Sequence, residues 1–438
     1  MSEVGGNAMR EERTGDAGLI EEGSVVRGRE VRVPEALIRR AGSDDEGCYE
    51  FGILGAGCAG LSLCHYLLEL GVESPILILD HRQGFADDRT WCFWDVEPTP
   101  FSHLAVHSWS SWCLKTPGSA ALQTTHRYPY RCITGADFYE YALQRLAVHE
   151  NVTLRLGEAV EGYKEHDGET YVKTSTKSYA ARYGFDGRGF APGSAAFEEV
   201  RRRSCWLPQK FLGLRVRAEK SVFDPEVCTL MDFSVDQGRG LRFAYVLPFG
   251  SREALVENVY LSDAEISPDE HRAELAGYLR DSYGLSPDDY AVEGEESGVI
   301  PMTDYRFPRR LGERAYSIGM LGGESRPSTG YTFLRIQRYC RRLAESVIAG
   351  AAVPERVEPR RYDVLDGIFL RFMRRYPERC PSVYHRMFSR VPPDTLVRFL
   401  TERSSLADES RLVLAMPKIP FLGLAFRRIF EAGLCSGE

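Results

Sequence analysis

The sequence is short of several things that would have narrowed its role at once. It has no basic excess: 55 Lys and Arg against 63 Asp and Glu leave a formal net charge of −8. That sign argues against nucleic acid as the main partner, because phosphate binding draws on a basic face. It has no CxxC pair among its 11 cysteines and no metal-like spacing. A scattered, odd set in so long a chain reads as buried thiols in a reducing cytoplasm. His103 and His107 lie four apart, but no acidic or cysteine partner nearby completes a metal set. No apolar run reaches the ~20 residues of a membrane span; the richest stretch, 53–72, is interrupted by His65 and Glu69 and opens on three glycines. No repeat of about 20–50 residues recurs. Residues 1–47 lack any aromatic residue, and Glu3, Glu11, Glu12, Asp16, Glu21 and Glu22 fit neither a signal nor a transit peptide. They read as a disordered extension with a short helix near 34–40.

What is present is a globular composition, 43% hydrophobic and 27% charged over 438 residues, enough for two or three domains. One motif stands out. A buried strand beginning at Tyr49 runs into Gly55-Ala56-Gly57-Cys58-Ala59-Gly60, helical periodicity follows at Leu61, Cys64, Leu67 and Leu68, and a second apolar strand ends at Asp80. Gly55 permits the tight turn, Gly57 lets backbone approach a pyrophosphate, and Gly60 lets helix pack on strand. The amides and positive dipole at the helix start would hold phosphates, and Asp80 stands where a carboxylate accepts ribose hydroxyls. The motif alone does not choose between FAD and NAD. Downstream, Arg89 resembles the Arg that in flavoproteins of this architecture follows the ribose acid and meets the phosphates, although a solvated turn before core aromatics would look the same.

Asp88-Arg89-Thr90-Trp91-Cys92-Phe93-Trp94 resembles the (N/D)RTWCFW signature of lycopene cyclases, the flavoproteins that close the end rings of carotenoids. The likeness recurs in order. It passes through Phe223-Asp224-Pro225, Leu230-Met231-Asp232-Phe233, Gln237, the FAYVLPF run from Phe243 to Phe249, and Ala254-Leu255-Val256-Glu257. It continues through Ile300-Pro301-Met302-Thr303-Asp304, Ile318-Gly319, the stretch from Arg326 to Phe333, Tyr362-Asp363 to Phe369, and Phe399-Leu400, covering about residues 49–425.

The resemblance implies an α/β fold: a Rossmann-type FAD-binding domain of the aromatic hydroxylase and geranylgeranyl reductase type, a mixed β-sheet substrate domain, and a helical C-terminal part. The corresponding divisions are 1–47 as extension, 48–200 with 300–345 for FAD, 201–299 for the sheet, and 346–438 for the helices. Strand-like runs at 211–217, 229–235, 241–247 and 254–260, with little helix between them, suit the sheet.

The implied activity is an isomerisation of lycopene or a related polyene to β-ionone rings. A terminal alkene is protonated, a second alkene attacks the cation, and a proton is lost, with no net electron transfer. The acid must be neutral. Glu257 lies between apolar residues on a strand, so desolvation favours its protonated form, and it matches the first Glu of the family's FLEET-like acid–base motif. The second Glu of that motif is Asn258 here, which puts a two-carboxylate relay at that spot in doubt. Glu324 and Asp232 are further candidate carboxylates, Asp232 either catalytic or ordering the site. The family further implies FAD in reduced form as a fixed anion, with NAD(P)H as its reductant. A unit charge pair about 5 Å apart at an effective dielectric near 20 is worth roughly 3 kcal/mol, about a hundredfold in rate.

The segment around Gly322, Gly323, Ser328, Thr329 and Gly330 reads as a loop and helix start over the flavin, with Ser328 or Thr329 as cap. Trp91, Phe93, Trp94, Phe233, Phe243, Tyr245, Phe249 and Tyr331 are available to line an apolar tunnel, mostly as core. A C40 hydrocarbon resides in the bilayer, so a peripheral position at the membrane surface is expected. The stretch from Leu412 to Leu434, with Lys418, Arg427 and Arg428, reads either as an interfacial helix broken by Pro417 and Pro420 or as a closing helix. A redox flavoenzyme acting on a polyprenyl or carotenoid substrate is the alternative. The sequence leaves the oligomeric state open.

Overall fold

The computed structural model describes residues 28–39, 49–189 and 193–417. The rest of the expected extension at 1–47 and residues 418–434 of the expected interfacial or closing helix lie outside the described residues; within them, Glu35–Arg39 forms a short helix at the position read from the sequence.

Five parallel strands form the base of the first sheet, in the order Val152–Leu156, Ile76–Asp80, Tyr49–Leu54, Ser178–Asp186 and Ala315–Ser317. Glu169–Thr174 and Val160–His166 extend it antiparallel. Every residue of Ile76–Asp80 is buried, as a parallel strand covered on both faces requires. Helices Cys58–Glu69 and Phe333–Ile348 pack side by side in the same core. The pair is fastened by the Gln337 amide, which donates to the Ser62 hydroxyl at 2.9 Å and accepts from Tyr66 at 3.2 Å.

The second sheet runs Tyr290–Thr303, Trp206–Ala218, Glu253–Leu261, Leu241–Pro248, Val227–Asp232, Ser111–Thr116, Ser119–Thr124. It is mixed, because Val227–Asp232 pairs parallel with Ser111–Thr116 while its other neighbours are antiparallel. The last two strands come from the 48–200 stretch, so the chain enters this sheet before the first one is complete. The strand read at 229–235 ends at Asp232, and the one read at 211–217 extends to Trp206–Ala218.

The two faces of this sheet have different partners. One face carries Leu212, Leu214, Ala244, Val246 and Val256 against Leu275, Tyr278 and Leu279 of helix Pro268–Tyr283. That helix lies in a stretch read as nearly all strand. Its start is a reciprocal cap between Ser267 and Glu270, and its end is the left-handed Gly284. The other face meets helices Arg361–Arg375, Cys380–Arg390 and Pro393–Leu400 in a core with Trp94, Trp109, Trp112 and Tyr130. A three-stranded sheet of Thr90–Trp94, Tyr130–Thr134 and His107–Trp109 joins the two cores.

Candidate functional site

The glycine turn is built as a cradle. Gly55 has φ +103°, and a Cβ on Gly60 would sit 1.9 Å from the Gly55 carbonyl oxygen, so neither tolerates a side chain. A Cβ on Gly57 would meet nothing within 4 Å. As N-cap of helix Cys58–Glu69, Gly57 supplies no side-chain cap to the first-turn amides. An anion there would meet the positive helix end.

Asp80, at the end of its strand, accepts the Ala56 amide at 2.7 Å and so pins the turn. Its carboxyl also takes the Arg82 amide at 2.9 Å and both arms of the Arg82 guanidinium at 3.0 Å. Burial alone would raise its pKa; the Arg82 and Ala56 donors reverse this and hold it below the usual carboxylate range. Asp186 and Arg188 repeat the arrangement at the end of Ser178–Asp186, on the other side of strand Tyr49–Leu54, with a bidentate contact at 2.8 and 2.9 Å. The backbone of Gly187 and Arg188 passes directly against Gly55. Sequence reasoning missed Arg82, Asp186 and Arg188; an Asp followed two residues later by Arg, after each of two apolar strands, was the available signal.

Arg89 is half-exposed and pairs with Asp88 at 3.3 Å. Its charge also acts on the Cys58 thiol at the helix start. The next residue, Thr90, turns the other way, its hydroxyl donating to Glu296 Oε2 at 2.8 Å. One step of chain thus separates Arg89, whose charge reaches the helix start, from a residue bound to the carboxyl of Glu296.

Glu257 and Glu296 lie on the two strands that flank Trp206–Ala218, and both stand opposite Gly213. A Cβ on Gly213 would come within 2.8 Å of Glu257 Cγ, so the missing side chain is the space in which Glu257 lies. Glu257 is buried and hydrogen-bonded to Glu296. Desolvation, then the Glu296 charge and hydrogen bond, push its pKa well above the ordinary value. Glu296 is also raised by burial, while the hydrogen bonds from Glu257 and Thr90 pull it back. No sequence reading named Glu296. The signal was weak: one acid among several in Glu293-Gly294-Glu295-Glu296, within a strand whose neighbour was not yet known.

Aromatic hydroxyls continue from this pair. Tyr245 stands opposite Glu257 in the sheet, and its hydroxyl lies 3.0 Å from that of Tyr130. Tyr130 is in turn hydrogen-bonded to Tyr331, whose pKa burial pushes up to about 12. Beyond Tyr331, an apolar cleft of about 320 Å³ opens between the C-terminal helices, lined by Ile368, Phe369, Tyr384, Met387, Leu400 and Leu412 among others. Trp94, Phe233, Phe243, Tyr245, Phe249 and Tyr331 belong to the core on this side, whereas Trp91 and Phe93 pack on Phe138 and Phe333 under the first sheet.

The remaining expected site residues have these positions. Asp232 shares its cross-strand row with Ala244 and Asn258, on the face that carries helix Pro268–Tyr283. It accepts the Tyr278 hydroxyl at 3.0 Å. It therefore sits across the sheet from Glu257 and orders the back of the sheet. Asn258 is held there too, by Arg242 and Glu274 at 2.7 and 2.6 Å.

Ser328 caps no helix. Its hydroxyl donates to Asp366 at 2.7 Å, beside the bidentate Arg326–Asp366 pair, while Thr332 is the N-cap of Phe333–Ile348. Thr329 accepts the Tyr331 amide and lines the cleft. Gly322 and Gly323 pack under Arg309 and Phe307, and Gly330 against Gln209. Glu324 is fully buried between Arg309 and Arg335, in an ion network that ties this loop to Glu358 and Glu402. His107 contacts the Pro225 carbonyl at 3.2 Å, and His103 packs edge-on against Tyr141.

The sequence profile of a family described as lycopene cyclase protein matches residues 51–425. Lycopene beta-cyclase of Paracoccus sp. is 26% identical over 405 residues, spanning 86% of this chain and 97% of that protein. Among solved structures, a geranylgeranyl bacteriochlorophyll reductase-like protein from Thermoplasma acidophilum matches with a TM-score of 0.55 at 13% identity, over 84% of this chain and 96% of that one. A variant of the halogenase PltM in complex with FAD matches with a TM-score of 0.53 at 14% identity, over 86% and 87%. The fold is thus shared with these proteins.

Proposed function

Because this chain belongs to the lycopene cyclase family, we propose that it is an intramolecular isomerase that closes β-ionone rings on lycopene or a related polyene. The observation that carries this reading is the buried carboxyl of Glu257, kept protonated by its surroundings and facing the aromatic side of the sheet. Protonating an unactivated alkene needs a neutral acid at neutral pH and a site that keeps water from the cation.

Glu257 donates its proton to the terminal alkene. The neighbouring double bond attacks the resulting cation to form the ring, and a ring proton returns to the carboxyl site, so atoms and charge balance without an oxidant. Tyr245, Tyr130 and Tyr331 present ring faces and hydroxyls along the route to the cleft, and aromatic faces stabilise cations.

The glycine cradle, Asp80, Arg82 and Arg188 fit FAD: a turn whose Gly55 and Gly60 admit no side chain, a helix start without a side-chain cap, and a pinned acid at the ribose position. Arg89 is available to the phosphates. When bound and reduced, the flavin supplies negative charge that favours a carbocation; NAD(P)H serves only to reduce it.

A second reading, a redox flavoenzyme acting on a polyprenyl or carotenoid substrate, is compatible with the fold shared with a reductase-like protein. The two readings differ in stoichiometry. Cyclisation consumes catalytic amounts of NAD(P)H, whereas reduction consumes it in proportion to product. The deciding experiment is expression in cells that accumulate lycopene, with pigment chromatography and a Glu257→Gln control. Conversion to ring-bearing pigments that the variant abolishes supports cyclisation. Unchanged lycopene from folded, flavin-loaded protein rejects it.

A further inference from the structure

We propose that Glu296 keeps Glu257 in its acid form, the two carboxyls sharing one proton across Gly213 while the Thr90 hydroxyl holds Glu296 as the carboxylate. The inference rests on the reading of Glu257 as proton donor and adds a positioning residue to it.

The geometry begins in the sheet. Residues directly opposite in neighbouring strands point to the same face, and Gly213 is opposite Glu257 on one side and Glu296 on the other. The two glutamates are therefore two strand spacings apart, about 9–10 Å at the backbone. Only a residue without a side chain between them lets the carboxyls meet. Thr90 reaches Glu296 from the three-stranded sheet at 2.8 Å. The other groups facing the pair are few. Asp87 and Arg215, themselves paired at 3.7 Å, lie beside Glu296, and Cys92 and Tyr245 lie beside Glu257. Cys132 stands opposite Cys92 behind them.

Two carboxyls in contact cannot both ionise at ordinary cost, so one proton leaves before the other and the second is held. The Thr90 hydroxyl, donating to Glu296, settles which oxygen carries the charge. Glu257 then keeps the proton it must deliver. When it does so, its O–H bond breaks and a C–H bond forms at the alkene carbon. The ring proton lost later restores a singly protonated pair, and no electrons leave the substrate. Throughout, the Glu296 carboxylate opposes the positive charge that develops nearby, a preorganised anion in a dry site.

The test is the pH profile of lycopene conversion by flavin-loaded protein, with Glu257→Gln, Glu296→Gln and Thr90→Val. The wild-type profile is bell-shaped, because activity needs one carboxyl protonated and the other ionised. Glu296→Gln removes the neighbouring charge, so its alkaline limb moves down by about one pH unit or more and its acid limb disappears. Thr90→Val withdraws the donor, so the acid limb moves up. Infrared difference spectra of the protonated-carboxyl band, recorded against pH for each variant, follow the same shifts without turnover.

If Glu296→Gln leaves both limbs and the band unchanged, the shared proton is refuted while Glu257 can still stand as the acid. If Glu257→Gln converts lycopene normally, the assignment of Glu257 as the acid fails, and with it this proposal; if wild type leaves lycopene unchanged, the functional reading itself fails. Should Glu296→Gln not fold, Thr90→Val and its infrared titration decide, and an unmoved acid limb refutes the proposal.

Discussion

Two buried carboxyls, Glu257 and Glu324, hold protons for related reasons and with different consequences. Burial raises both. Around Glu257 the neighbouring charge is another carboxylate, which adds to the rise. Around Glu324 the neighbours are Arg309 and Arg335, which oppose it and leave the carboxyl at about 7 against an ordinary 4.5. Replacing Glu257 by Gln preserves volume and removes the acid, so cyclisation should fall by about 10²–10⁴-fold, the usual weight of a general acid, with flavin content unchanged by absorbance. For Glu324 the consequence is stability. The folded chain keeps a proton that the unfolded chain has already released between pH 4.5 and 7. Its contribution is complete below pH 4.5 and declines as pH rises toward 7, by up to about 3 kcal/mol. Denaturant unfolding of wild type and Glu324→Gln at pH 5 and 7.5 should therefore show wild type losing stability relative to the variant at the higher pH. Parallel pH dependences would contradict this account of the ion network.

Among the secondary-structure elements, strand Trp206–Ala218 decides the site, because its two neighbours bring the carboxyls together over Gly213. A methyl group there would come within 2.8 Å of Glu257 Cγ and 3.1 Å of Leu255 Cδ1. Gly213→Ala should displace Glu257 and lower conversion at least about tenfold, since small misplacements of reacting groups are costly. Far-UV circular dichroism should stay as in wild type, and an active Gly213→Ala would mean that Glu257 works from another position. The same strand marks what was legible in advance. The glycine turn, its two flanking strands and Asp80 were readable, because all of their determinants lie within 32 residues of chain, from Tyr49 to Asp80. Glu257 was readable as a buried strand acid. Glu296 was not, because helix Pro268–Tyr283 separates its strand from that of Glu257, and no local pattern announces that the two flank one glycine. For Asp232 the sequence left catalysis and ordering of the site both open, for a subtler reason. A register irregularity between Thr229 and Asp232 changes which face the strand's end presents, and a period-two count cannot see it. The helix itself was legible in Ser267-Pro268-Asp269-Glu270, a capping sequence that the strand-rich context obscured.

For the whole molecule, the nucleotide cradle, the carboxyl pair, the tyrosine hydroxyls and the cleft form a succession that ends among the C-terminal helices. The cleft's outer lining includes Leu412, Val413, Leu414 and Met416, and Leu406, Val413 and Leu414 are each more than half exposed. No helix among the described residues is long and apolar enough to cross a membrane. An apolar rim around an apolar cleft is suited to the transfer of a polyene from lipid into protein at a surface. The double substitution Val413→Glu with Leu414→Glu places two carboxylates at this rim, where lipid contact would require their desolvation. Exposed substitutions of this kind change stability by about 0.5 kcal/mol or less, so thermal unfolding should stay near wild type. Conversion of lycopene held in vesicles should fall about tenfold or more, and sedimentation with those vesicles should weaken. Turnover of lycopene presented in detergent micelles should change much less, because the chemical step at Glu257 is untouched. If vesicle and micelle rates fall together, the rim acts on the bound polyene rather than on its entry. If neither rate changes, the substrate reaches the carboxyl pair by another route.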